Sequence, residues 1–285
     1  GGMLCAPWFD RPLSVAGRII IKNTTNGRFT SKLVNIDRNL VMIPNLAIHM
    51  NREINNGYTY NAQKDLLPIY SCGSPKGTFM EQIAEAAGVE KEEILGHDLF
   101  LYNRQEGSIW GASKEFISSG RLDDLQCAFA SLQGFLFAEK KDCMAVHCVL
   151  DNEEVGSGTK QGAASTFLFD TLIRIHEVLG YDDEDYRVHL ADSFMISADN
   201  AHAVHPNYTE KSDPTNRPYL NEGIVLKFNA NQKYCTDAVS AAMFRDLCKQ
   251  ADVPIQTFTN RSDMAGGSTL GNISNTQVAL NTVDI

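Results

Sequence analysis

The rhythm of apolar and polar positions changes near residue 107. Upstream, β-branched runs at 18–22 and 40–44 alternate with turn-forming clusters such as 23–27, which predicts short strands between about residues 13 and 69. Over 76–95, Phe79, Ile83, Ala86, Ala87, Val89 and Ile94 recur at helical spacing interrupted by Gly88, and 99–102 predicts one more strand. Downstream, 124–139 predicts a helix with Leu125, Phe129, Leu132 and Leu136 on one face. A continuous apolar strand at 144–150 and a long helix at 163–179 follow. Strands at 193–196, 224–228, 255–258 and 277–283 and a helix at 236–250 complete the pattern. Alternation of this kind predicts an α/β fold, a mixed sheet with helices on both faces. The expected organisation is a smaller β-rich domain over 1–106 and an α/β domain over 107–285.

Bulk properties narrow the partners. With 285 residues and 43% hydrophobic content the chain can bury a sizeable core. A formal net charge of -10 argues against nucleic acid and against an anionic membrane surface, because phosphate binding draws on excess lysine and arginine. No apolar run approaches the roughly 20 residues that span a bilayer, and no basic-then-apolar leader is visible, so a cytoplasmic location is expected. Seven cysteines, widely spaced and without a C-x-x-C pair, predict buried thiols instead of a disulfide framework or a thiolate zinc site.

The candidate chemistry is acidic and lies at strand ends, where α/β sheets gather ligands. Asp151, Glu153 and Glu154 follow the 144–150 strand, and Asp199 follows 195–198. Two carboxylates 4 Å apart repel by about 4 kcal/mol at an effective dielectric constant near 20, so such a group needs solvent, a proton or a cation. The residues alone leave a wet turn and a metal site both open. The 182–185 run (DDED) is expected to be a solvated loop. Oxygen ligands from several loops, with histidine, suit zinc, manganese or cobalt. There is no H-E-x-x-H helix; His202 and His205 lack the glutamate and precede Pro206, and Gly156-Ser157-Gly158 lacks the spacing of a serine nucleophile elbow.

Residues 8–18 (WFDRPLSVAGR), 43–49 (IPNLAIH), 120–125 (GRLDDL), 151–157 (DNEEVGS) and 197–207 (SADNAHAVHPN) together resemble the M18 family of metallo-aminopeptidases, of the aspartyl aminopeptidase type. The resemblance spreads over nearly the whole chain. It implies a zinc-peptidase catalytic domain joined to a β-rich dimerisation and assembly domain. Carried over position by position, it implies Asp123 as a carboxylate bridging two zinc ions and Glu154 and Asp199 as ligands to one ion each. Glu153 would be the general base. A cis peptide at Asp123-Asp124 is also implied, although the family usually shows Asn where this chain has Asp124.

His49 would reach a neighbouring subunit's site, while His202, Lys227 and Tyr234 would contact substrate. The substrate would be a peptide with an N-terminal aspartate or glutamate, and the assembly a homo-oligomer, a dodecamer in the family. The family's two histidine ligands would fall upstream of residue 1 and downstream of residue 285, so the chain by itself is expected to bind metal poorly and to be inactive alone. Two other readings remain open at this point: a non-catalytic assembly module, and an amidohydrolase of acyl-amino acids on the same scaffold.

Overall fold

The computed structural model describes residues 2–22, 26–73, 77–139 and 142–285. The turn expected over 23–27 and the helix start expected at 76 fall in part outside these residues. The chain divides into two compact units, Met3–Gly120 and Arg121–Ile285. The boundary lies past the expected 106/107 because a hairpin of β4 (Ser108–Trp110) and β5 (Phe116–Ser118) falls in the first unit.

The first unit is built on an antiparallel sheet. β1 (Leu13–Lys22) is central, flanked by β2 (Phe29–Asn35) and β3 (Ile94–Asn103). Its β-branched residues alternate across the pleat, so Val15 and Ile19 point inward with Val34, Ile36 and Ile83. Ile83 belongs to α2 (Thr78–Ala87), which packs on this face and stops at Gly88 in the left-handed conformation. Residues 91–93 form a separate short turn of helix, so the pattern expected over 76–95 breaks where the glycine stands. Only isolated bridges form in the expected 40–44 strand, at Val41, Met42 and Ile43. A single-turn helix, α1 (Ala62–Asp65), is capped by the Asn61 side chain.

The second unit carries parallel strand pairs. It comprises α3 (Leu122–Phe137), α4 (Phe167–Val178), α5 (Asp183–Ala191), β6 (Phe194–Ser197), β7 (Ile224–Phe228), α6 (Ala238–Gln250), β8 (Ile255–Thr259), α7 (Leu270–Ser274) and β9 (Asn281–Asp284). β6 pairs with β9 and β7 with β8, both parallel, and β7 lies beside β9. Leu226, Val283, Ala241, Phe244 and Cys248 make the core between these strands and α6, whose first turn is closed by a capping box of Asp237 and Ser240.

The helix expected over 124–139 is present as α3, and its stripe of Leu125, Phe129, Leu132 and Leu136 is exposed. Three expectations for this unit need correction. The apolar run 144–150 forms no strand ladder among the described residues. The 182–185 run is not a loop. Asp182 accepts from the Glu184 and Asp185 main-chain N–H groups at 2.9 and 3.0 Å, and the remaining acids form the first turn of α5, where the helix dipole favours negative charge. The strand expected at 277–283 is shorter, β9 being preceded by the unforeseen α7.

Candidate metal centre

Three carboxylates meet where α3 begins and β6 ends. Arg121 adopts the left-handed conformation (φ 62°), and Asp123 and Asp124 have non-helical backbone, so the regular helix starts only after them. The Asp123–Asp124 peptide is cis. Asn200 Nδ2 donates to the Leu122 carbonyl at 3.0 Å, tying the start of α3 to the loop that follows β6. That loop carries Asp199, whose N–H donates to the Ile285 carbonyl at 3.1 Å and so prolongs the β6–β9 pairing. As a result, one ligand atom each from Asp123, Asp124 and Asp199 lies within 4.8 Å of the others.

This proximity is electrostatically uncomfortable. Burial pushes Asp199 up to about 7, with Lys227 opposing and the Asp123 and Asp124 carboxylates reinforcing the shift. Burial also raises Asp124, whose Oδ1 is buried without a hydrogen-bond partner. Its carboxyl interacts with the Cys127 thiol, which burial and this acid push up to about 12, so Cys127 stays protonated. Glu153 is raised by burial, with Glu154, Asp123 and Asp124 adding to the effect. Carboxylates sharing a small volume, one with a buried oxygen that no protein group satisfies, form a hard oxygen donor set that fits a divalent cation.

The other expected residues are placed as follows. Glu153 is half-buried and within electrostatic reach of Asp123 and Asp124, whereas Glu154 is exposed and stands outside the 4.8 Å group. Lys227 is 2% exposed; its ammonium donates to the Asp199 main-chain carbonyl and lies 5.8 Å from the centre of the Tyr234 ring. Burial lowers the Lys227 pKa, and Asp199 and Asp284 are the two strongest groups acting against that shift. Tyr234 is buried and His202 exposed. His49 belongs to the other unit, exposed, with Arg52 3.3 Å from its Nδ1. Sequence reasoning missed Asp124 as a member of the cluster. The signal available was an acid where the resembling family carries an amide.

A pH dependence follows. The folded-state pKa of Asp199, about 7, exceeds its unfolded value near 3.8, so the stability this group contributes is fully present below 3.8 and is lost as pH rises through 7. In chelator, thermal melting at pH 5 and pH 8 is expected to show a larger loss for the unaltered chain than for Asp199→Asn. Equal losses contradict the assignment.

Known proteins share this arrangement of chain. The family model described as aminopeptidase I zinc metalloprotease (M18) matches residues 1–285. The probable M18 family aminopeptidase 2 of Clostridium acetobutylicum is 48% identical over 289 residues, an alignment covering 100% of this chain and 67% of that protein. Among solved structures, the cryo-EM structure of the Ape4 and Nbr1 complex superposes with a TM-score of 0.89 at 34% identity, over 100% of this chain and 59% of that one. The S. cerevesiae mApe1 dodecamer gives 0.79 at 27% identity, over 99% of this chain and 64% of that one. The chain therefore spans about two thirds of the curated relative's length and less of these structures. A whole-length family match, close to half the residues shared with a named aminopeptidase, and a superposable fold lead to one conclusion: this chain belongs to the M18 family of zinc metallo-aminopeptidases.

Proposed function

We propose that this chain carries the acidic centre of a dinuclear metal-dependent aminopeptidase that removes N-terminal residues, preferably aspartate or glutamate, from peptides. The observation that carries this reading is the convergence of Asp123, Asp124 and Asp199 beside a half-buried Glu153. Asp123, Glu154 and Asp199 would hold two zinc ions, with manganese or cobalt as alternatives. When bound, such ions polarise the scissile carbonyl and bring the pKa of water down towards neutrality. Glu153 takes the proton from the attacking water and returns it to the leaving amine; burial raises its pKa towards the working range of a general base.

Lys227 supplies positive charge in an otherwise acidic centre, as selection of an acidic side chain requires, and only one of its three donors is spent on the Asp199 carbonyl. Tyr234 supports the lysine through its ring, and His202, on the loop after Asp199, is open to a substrate backbone. His49 acts on a neighbouring copy in a cytoplasmic homo-oligomer. That a related protein was solved as a dodecamer supports this part of the reading. No helix among the described residues is long and apolar enough to cross a membrane.

A substrate panel tests the proposal. A zinc-loaded protein of the relatives' full length that contains these residues is expected to hydrolyse aspartyl and glutamyl amides at least about 10-fold faster than leucyl amides, since hydrogen bonds to charged groups contribute roughly 1.5–3 kcal/mol. N-acetylated versions should not react. Equal rates on free and blocked termini overturn the aminopeptidase reading.

A further inference from the structure

Asp284 is a carboxylate with no exposed surface, at the carboxyl end of β9. Nothing in the proposed reaction uses it. Its Oδ1 accepts from Thr269 Oγ1 at 2.7 Å and its Oδ2 from the Cys235 N–H. Both oxygens are thus held by neutral donors of the protein, away from solvent. Asp284 also acts on Lys227, itself 2% exposed: it is second only to Asp199 among the groups favouring the charged lysine. The ammonium thus lies in the field of two acids, and the atom it binds is the main-chain carbonyl of Asp199.

The backbone repeats the connection. Ser197 and Asp284 are register partners in the parallel β6–β9 pair. The Ile285 N–H donates to the Ser197 carbonyl at 2.9 Å, and the Asp199 N–H to the Ile285 carbonyl at 3.1 Å. Asp284 is therefore one residue from the group that fixes the Asp199 backbone. α7 closes the other side: the Gly271 N–H donates to Ser197 Oγ at 2.9 Å. A Cβ on Gly271 would stand 2.7 Å from Asp284 Oδ1 and 2.9 Å from Ser197 Cβ, so only glycine allows this packing. The Asp284 N–H donates to Thr236 Oγ1 at 2.9 Å, which anchors the segment leading into α6.

We propose that Asp284 is a positioning residue for the metal centre, acting through Lys227 and the β6–β9 pairing to set where the Asp199 carboxylate stands. This rests on the reading of Asp199 as a metal ligand. Partners that orient a ligand from behind typically change metal affinity by about 10–100-fold when removed.

The test is a zinc titration, against a competing chelator, of a protein of the curated relatives' full length that contains these residues, with cobalt absorption spectra as a second readout. Asp284→Asn is expected to weaken the site served by Asp199 by about 10–100-fold and to alter its cobalt bands, while the site served by Asp123 and Glu154 changes by less than about threefold. A purely structural role for Asp284 would lower the melting temperature and leave both affinities of the folded chain unchanged, and that result overturns the proposal. Should Asp284→Asn fail to fold, Thr269→Val decides: it deletes one hydrogen bond to the carboxylate and is expected to weaken the same site by about threefold to tenfold. Unchanged affinity in that variant also overturns the proposal. If the unaltered full-length protein binds no zinc, it is the metal-centre reading that fails, a result distinct from two sites that ignore residue 284.

Discussion

Glu153→Gln is expected to lower aminopeptidase turnover by about 10²–10⁴-fold while leaving bound metal unchanged. The amide keeps the size of the side chain and cannot accept a proton from water. Because the proposed role of Glu153 is that of a base facing the water and not of a ligand, its loss should not deplete the cation site. Removing one negative charge from a crowded centre also relieves repulsion, so the metal-free variant should be no less stable. Steady-state kinetics with an aspartyl amide, paired with zinc analysis of the same sample, checks both halves. Retained turnover removes Glu153 from the base role, and lost zinc makes it a ligand.

Asp123→Asn carries the second large effect. If this carboxylate serves both ions, an amide in its place should reduce bound zinc from two equivalents to one or none. Activity should fall by at least the roughly 10–100-fold that loss of an orienting partner costs. The substitution should also lower the pKa of Asp199, since Asp123 is one of the groups raising it and hydrogen-bonds its carboxyl. Zinc content after dialysis is the measurement. Two equivalents retained with full activity would place the bridging role elsewhere, with Asp124 next in line because its Oδ1 has no protein partner.

How much of this was legible in the sequence varied with the physics involved. Strands β7 and β8 and helix α6 follow from β-branched runs and a helical stripe that stay local, and they appear close to where the pattern puts them. Apolar periodicity identifies a face but not what covers it. The stripe on α3 is exposed and the 144–150 run has no ladder because both need tertiary partners that local pattern does not name. Charge density misled at 182–185, where a capping aspartate turns repulsion into a stable helix start.

The centre itself was half legible. Asp199 stands out as an acid at a strand end, Asp123 comes only from the family resemblance, and the structure brings the two together. Asp124 does not stand out, because helical spacing cannot foresee that Arg121, Asp123 and Asp124 leave helical backbone. Lys227 sits among Ile224, Val225, Leu226 and Phe228, a context that resembles an edge-strand lysine until burial shows its ammonium turned to Asp199. Asp284 gave no signal, since a polar residue ending an apolar strand is ordinary.

The central claim is that Asp123, Glu154 and Asp199 enclose a pair of divalent cations beside Glu153. Anomalous diffraction at the zinc edge, from crystals of fully loaded protein, tests it most directly. The account predicts two anomalous peaks about 3.5–4 Å apart, each in contact with Asp123, one also with Asp199 and the other with Glu154. Zinc density only at other places on the molecule, with none touching these carboxylates, contradicts it.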